Sequence, residues 1–325
     1  MAATVETPAP VPVSGAQPRG YTELGSGLIG AGRGVAAYNV LYLGSIWIVI
    51  AAALSLAALK PSVWTIVAAV LLISSRQQAL LNVEHEAVHR KLFSGRRLND
   101  AVGRWLCAAA VGSPFNAAQH RHLTHHRRLA TDQDPDAELH SGADKATRAG
   151  LARHFIGGLL GAYAAMILVG PAARGEASTT TRADLISLLV AQIVMVGVLS
   201  LLLAPWVYPL LWLAPLFTIT MLVHLIRSFV EHAIIDSESP AHSNRLITIA
   251  SNPFERALFA PFGMNYHAEH HLLPSVPASR LRRLHRRVRA ASADQLPAIL
   301  ERRSYTTALW AHFGSLRSSR GGGTG

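Results

Sequence analysis

Residues 82–91 read NVEHEAVHRK, and within them His85 and His89 stand four positions apart. On a helix that spacing puts both imidazoles on one face, able to grip a single metal ion. HEAVH also matches the His-Glu-x-x-His pattern of zinc proteases, in which Glu86 would act as base for a metal-bound water. What a metal does there depends on its other ligands, and the chain offers many. HLTHH supplies His122, His125 and His126, NYHAEHHLLP supplies His267, His270 and His271, and RSFVEH ends in His232. A one-zinc hydrolase uses two histidines, a third ligand and a glutamate, which leaves at least six of these nine idle. Nine neutral imidazoles can instead saturate two metal ions and still leave room for dioxygen. A pair of metals suits the oxidation of an unactivated C–H bond.

The elements that carry these residues follow from composition. Only 15% of the 325 residues are charged and 50% are apolar, against about 25% charged in an ordinary soluble domain. Mean hydropathy is positive, and the balance is that of a membrane protein. The single cysteine, Cys107, excludes a disulfide framework and a cysteine-ligated cluster, so metal chemistry falls to the sixteen histidines. Residues 1–34 form a Pro/Ala-rich tail without the basic start and apolar core of a signal peptide, and are expected to be disordered. Residues 35–290 read as one membrane domain. Residues 291–325 read as a C-terminal helix followed by a loose tail, RSSRGGGTG.

Four spans are predicted, over 38–59, 62–83, 185–204 and 207–226. The first is an uncharged stretch of 22 residues, and the last two come from 42 residues without Asp, Glu, Lys or Arg, divided near Pro205 and Pro209. The second is interrupted by Arg76, Gln77 and Gln78 and runs on into HEAVH. The shorter apolar stretches 101–115 and 158–170 suit interfacial or re-entrant helices. Four spans put both tails and the segment 84–183 on one side, and these hold 28 of the 30 lysines and arginines. The positive-inside rule makes that side the cytoplasm. Much of the net charge of +11 is thereby explained without nucleic acid. The run SRLRRLHRRVRA (279–290) is expected to be a helix lying against anionic headgroups. Arginine far in excess of lysine, with abundant alanine, points to a GC-rich bacterium and hence to the cytoplasmic (inner) membrane.

The order and form of HEAVH, HLTHH and HAEHH, with spans between the second and third, resemble the integral-membrane fatty-acid desaturases and related hydroxylases, over about Tyr38 to Arg289. The resemblance implies an all-α membrane fold of four transmembrane helices with a cytosolic helical cap that holds a histidine-ligated di-metal site. It implies two iron ions (Fe2+/Fe3+), O2 as co-substrate, and ligation by His85, His89, His122, His125, His126, His232, His267, His270 and His271. Ser228 stands where acyl-CoA members of the family have asparagine, and His232 stands in the ligand position that follows. The five-residue first box is similar to acyl-lipid or sphingolipid desaturases. No haem-binding His-Pro-Gly-Gly motif occurs, so a separate electron donor, a ferredoxin or a cytochrome/reductase, is implied. The expected activity is O2-dependent desaturation of a fatty acyl lipid. Hydroxylation or ketolation of a lipid or carotenoid ring is the alternative, and a zinc membrane protease or a metal carrier without chemistry is the lesser one.

Metal-bound imidazoles usually donate their second N–H to a carboxylate or carbonyl. Glu86, Asp134, Asp136, Glu231, Glu269 and Asn265 are placed to accept it, and Ser228 is a further neighbour. His120 is expected to face solvent or support the site from outside, and His224 to be a neutral residue bonded within the bundle. His140, His154, His242, His285 and His312 lie outside every box and read as surface or interface residues.

Overall fold

The computed structural model describes residues 23–129, 131–162, 179–233, 246–291 and 299–316. Four helices are long and apolar enough to cross a membrane: α1 (Arg33–Leu59), α2 (Val63–Val88), α7 (Arg182–Leu202) and α8 (Tyr208–His232). Between α2 and α7 lie α3 (Arg96–Val102), which continues as a π-helical stretch Gly103–Ala108, then α4 (Phe115–Arg128), α5 (Ala137–His140) and α6 (Arg148–Leu159). After α8 come β1 (Ile247–Ile249), α9 (Pro253–Leu258), α10 (His267–Leu272), α11 (Ala278–Ala290), β2 (Leu300–Arg302) and α12 (Tyr305–Ser315). The chain is mostly helical. Among the described residues it departs from an all-α expectation where β1 and β2 pair in parallel with Ile247 opposite Leu300. Three-residue strands are too short to leave a period-two signal.

Local chemistry sets the breaks. Lys60-Pro61 ends α1, because proline cannot continue a helical ladder. Ser62 and Thr65 then form a reciprocal capping box that starts α2. Thr181 and Asp184 do the same for α7, and Asp184 also takes Arg104 Nη1 at 3.0 Å and the backbone N–H of Asn116 at 2.9 Å. That buried carboxylate pins the start of α7 to α3 and α4. The fourth long helix contains two wider π turns, Tyr208–Leu213 and Leu216–Thr220, near Pro209 and Pro215, which remove N–H groups from the ladder.

The spans differ from their predicted limits mainly at the ends nearest the histidines. The second runs to Val88 instead of 83 and the fourth to His232 instead of 226, so both boxes there sit on continuous helix. Their outer surfaces are apolar: Leu41, Leu59, Trp64 and Leu201 are each at least three-quarters exposed, or nearly so. Such area is unstable in water and suits lipid. Inside, Gln77, Gln78 and Asn82 turn towards the bundle, where their amide N–H groups donate to Trp212 O, Asn82 Oδ1 and Pro261 O respectively. The polar interruption in the second apolar run is therefore an interior face.

The shorter elements pack on the ends of α2 and α8 that carry histidines. One tight approach to α2 is at Gly103, where an added Cβ would lie 2.4 Å from Ala87 Cβ and 2.8 Å from Phe115 Cε2. Gly103→Val is expected to destabilise the protein by about 1–3 kcal/mol and to disturb the helix turn bearing His85 and His89. Thermal unfolding in detergent, with metal content measured alongside, checks this; an unchanged midpoint would count against the close contact.

The arginine-rich helix α11 differs from expectation. Leu281 and Leu284 are fully buried in the protein core and not turned to a membrane. Two of its arginines hold the segment just before α1: Arg280 Nη1 donates to Leu28 O and Arg287 Nη1 to Leu24 O and Ser26 O. Of the two short apolar stretches, 101–115 lies against α2 and α7, whereas most of 158–170 falls outside the described residues, as do 1–22, 317–325 and His242.

Candidate metal centre

All nine boxed histidines converge on one place, delivered by α2, α4, α8 and α10. They form two adjoining groups. His85, His89, His122, His126 and His270 make the first, with ligand atoms mutually within 4.8 Å. His125, His232 and His271 make the second, joined by His267, whose Nε2 lies 2.8 Å from His232 Nε2 and 3.0 Å from His271 Nε2. The groups touch where the rings of His126 and His271 stack at 4.1 Å.

Helical geometry explains how each box is divided. Residues four apart share a face, whereas the residue three along is turned some 60° away. In HLTHH the pair His122 and His126 enters the first group and His125 enters the second. In HAEHH the pair His267 and His271 enters the second group and His270 the first. Each of these boxes thus gives a pair to one group and a single imidazole to the other.

The donor set fits metal ions better than it fits hydrogen bonding. His122 Nε2 lies 2.8 Å from His89 Nε2 and 2.9 Å from His126 Nε2, which in turn lies 3.1 Å from His270 Nε2. A ring nitrogen offers either one proton or one lone pair, so it cannot serve two such neighbours. Among the described residues His85 has no hydrogen-bond partner on either ring nitrogen although both are buried. Nitrogens held ~2.1 Å from one ion at right angles would stand ~3.0 Å apart, close to the separations seen. Burial, reinforced by neighbouring imidazoles, holds His122, His267, His270 and His271 well below the usual histidine range. Burial likewise pushes His89 down to about 3. The rings are neutral, as ligation requires.

Supporting groups only partly coincide with those expected. Asp134 Oδ1 accepts from His125 Nδ1 at 2.8 Å, leaving Nε2 of that ring to the second group. Although burial opposes it, hydrogen bonds from His125 and His140 hold the Asp134 carboxyl well below the usual carboxylate range. Glu231 Oε2 stands 3.4 Å from His267 Nδ1, and its other oxygen receives Arg227 Nε at 3.0 Å and the Tyr305 hydroxyl at 2.7 Å. Asp136 pairs with Arg121 and lies 3.8 Å from His125 Nδ1. Glu269 does not orient a boxed ring; it takes His285 Nδ1 at 2.6 Å and the Thr248 hydroxyl. Asn265 donates to Ile249 O, and Ser228, half-buried, makes no hydrogen bond among the described residues. Glu86 accepts the backbone N–H of Ala278 at 2.9 Å. Being one residue from His85 turns it about 100° around the helix, so it is engaged elsewhere and does not serve as a hydrolytic base.

Several residues contribute that the sequence reading set aside. His140 is no surface residue: it is buried, its Nε2 lies 3.4 Å from Asp134 Oδ2, and its ring is 5.0 Å from that of His232. With His125 and Asp134 it forms a third possible donor set. His285 is largely buried against Glu269. Arg227, at the end of the fourth long helix, joins Glu231 to Asn82 of α2 with Nη1 to Oδ1 at 2.7 Å. None of the three sits in a spaced pattern, so only the folded chain reveals them. His120 is exposed, and His224 is half-buried with Nδ1 lacking a partner.

The family model for fatty acid desaturases matches residues 61–303, three-quarters of the chain and every box. The chain belongs to the fatty acid desaturase family. Within the curated proteins this desaturase-family chain is similar to a beta-carotene ketolase of Paracoccus sp. (strain N81106 / MBIC 01143), 27% identical over 256 residues that cover 78% of this chain and 90% of the ketolase. It is also similar to a beta-carotene ketolase of Paracoccus sp. (strain PC1), 26% identical over 206 residues, 63% of this chain and 72% of that one. The family membership makes it an oxidoreductase of the membrane oxygenase type.

Asp134→Asn is expected to weaken metal retention in the second group by roughly 10–100-fold, because an amide fixes the His125 tautomer less well than a carboxylate. Titration of purified metal-free protein with ferrous iron reads this directly; unchanged retention would remove Asp134 from its supporting role.

Proposed function

We propose that this protein is an O2-dependent oxidase of a long apolar, carotenoid-type substrate, introducing a hydroxyl or keto group on a ring carbon at a di-iron centre held by the nine boxed histidines. The observation that carries it is the pairing of five and four convergent imidazoles, supported by two relatives named as beta-carotene ketolases. Bound iron would supply the reduction of O2 and the removal of hydrogen from an unactivated C–H bond. The protein's own part is to bury its imidazoles, to fix the His125 ring through Asp134, to set the Glu231 carboxylate beside the His267 ring, and to hold the site at the helix ends beside the apolar belt, where such a substrate partitions. Each hydroxylation consumes one O2, two electrons and two protons and releases one water. A second round at the same carbon gives a geminal diol that loses water to the ketone.

The electrons come from a separate donor, a ferredoxin or cytochrome/reductase, in keeping with a sequence that has no His-Pro-Gly-Gly haem-binding motif. Both tails and the histidine-bearing helix ends lie on the cytoplasmic side of a bacterial inner membrane, in keeping with where the basic residues fall. Desaturation of a fatty acyl lipid is the second reading, favoured by the family model. The two reactions differ in where the oxygen goes. Purified, iron-loaded protein with a ferredoxin system, β-carotene and 18O2 is expected to yield a product carrying 18O. A new double bond in an acyl chain, with all 18O recovered in water, would reverse the choice.

A further inference from the structure

One cavity of about 350 Å3, lined by none of the histidines, opens between α1, α2, α9 and α11. Its lining includes Tyr38 and Tyr42 of α1, Arg76 of α2, Arg256 of α9, Arg282 of α11 and Asn265 just before α10. Three guanidinium groups from three elements therefore face one space. Among the described residues none of them forms an ion pair. Arg76 donates only to neutral groups, Ser75 Oγ at 2.8 Å and Ala257 O at 3.3 Å. Glu86, not a lining residue, is held by the N–H of Ala278.

Two lining residues also have unused polar atoms. Among the described residues, Arg256 Nε is buried without a partner, and so is Asn265 Oδ1. Asn265 is 1% exposed, and its donation to Ile249 O at 3.0 Å fixes the amide so that the free atom is the acceptor. Buried polar groups without partners are costly. A ligand that satisfies this set must bring a negative charge for the arginines and a donor for the asparagine.

The position says where that ligand comes from. Arg76 lies within a span, whereas Arg282 belongs to the arginine-rich helix at the bundle's end, so the cavity straddles the edge of the apolar belt. Beside it Leu41 of α1 is 75% and Phe254 of α9 is 76% exposed, giving acyl chains a surface to follow. Ser75 Oγ donates to Ala257 O at 2.6 Å, which docks α9 at this depth.

We propose that this cavity binds the headgroup of an anionic phospholipid that carries free hydroxyls, with the phosphodiester among Arg76, Arg256 and Arg282 and a headgroup hydroxyl on Asn265 Oδ1. The lipid is a bound component of the fold, separate from the substrate that is oxidised. Since α11 and the residues before α10 form its walls, it steadies the elements that deliver His267, His270 and His271.

The test is native mass spectrometry of the full-length protein in detergent, with phosphatidylglycerol, phosphatidylcholine or phosphatidylmethanol added in turn. One phosphatidylglycerol per chain is expected, retained roughly tenfold better than phosphatidylcholine, whose choline cation is repelled by the arginines and brings no hydroxyl for Asn265. Phosphatidylmethanol, a phosphodiester without a free hydroxyl, is expected to fall in between. Arg256→Gln with Arg282→Gln should abolish the preference, whereas Arg283→Gln, on the same helix and not lining the cavity, should leave it intact. Equal loss with Arg283→Gln would reduce the effect to general attraction and overturn the site. Displacement by soluble glycerol phosphate at matching concentration would overturn the lipid in favour of a free anion. Equal retention of phosphatidylmethanol would remove the role given to Asn265. Arg282 is exposed, so Arg282→Gln alone keeps the fold and must still weaken retention.

Discussion

His125→Ala is expected to lower bound iron from about two to about one per chain and to abolish turnover, with a loss beyond the ~10–100-fold typical of a supporting residue. The argument rests on how the boxes divide. His125 is the single member of HLTHH that enters the second group, where four imidazoles meet. Its removal leaves three and also strips Asp134 of its 2.8 Å partner, so a buried carboxylate loses compensation that His140 alone cannot restore. The first group keeps all five of its members. His120→Ala, a change on the same helix at an exposed position, should retain both equivalents and full activity. A one-metal site at His85 and His89 makes the opposite forecast, because His125 would then be dispensable for metal. Iron quantification on the two variants decides between these, and two equivalents in His125→Ala would dissolve the two-group picture.

Much of this arrangement is legible before any coordinates, and the reason is spacing. Imidazoles at i and i+4, or in His-x-x-His-His, announce one helix face, and apolar runs of span length announce what carries it. Spacing stops short of destination. That His270 crosses to the group of His122 while His125 crosses to that of His267 depends on how α4 and α10 face each other, which no local pattern encodes. Adjacency also misleads in Glu86, which neighbours His85 in sequence and points at Ala278 in space. His140 and His285 were hidden for the opposite reason, being lone histidines without a repeat that meet Asp134 and Glu269 only once the intervening chain has folded back. Arg227 reads as the charge that ends an apolar run, yet it is buried and ties the last turn of the fourth long helix to α2. The arginine helix α11 shows the limit of amphipathic periodicity, since a stripe of leucines looks alike whether it meets lipid or the protein's own core.

Metal-free protein should lose stability steeply as pH falls below about 6.5, while the iron-loaded form resists until protons compete for the ligands. The unfolded chain binds a proton on each histidine near pH 6.5. In the folded, metal-free site burial pushes His89 down to about 3 and holds His122, His267, His270 and His271 well below the usual histidine range, with neighbouring rings adding to the effect. Below pH 6.5 the unfolded state therefore carries more protons than the folded one, and stability must decline as acid is added. Above it both states are neutral and the contribution vanishes. For His89 alone the loss between pH 6.5 and pH 5 is about 2 kcal/mol, and the other rings add to it, enough to unfold a marginally stable domain. Asp134 acts in a different window, since its depressed carboxyl adds stability above about pH 4 that disappears only in stronger acid. Chelator-treated protein in detergent, scanned for its thermal midpoint from pH 8 to pH 5, should show a descent that begins near pH 6.5. Iron restored beforehand should flatten that descent, because a lone pair committed to a metal is withdrawn from titration. A midpoint independent of pH in the metal-free protein would mean that these imidazoles are hydrated and apart, and that the tight nest of nitrogens at the helix ends does not form without its ions.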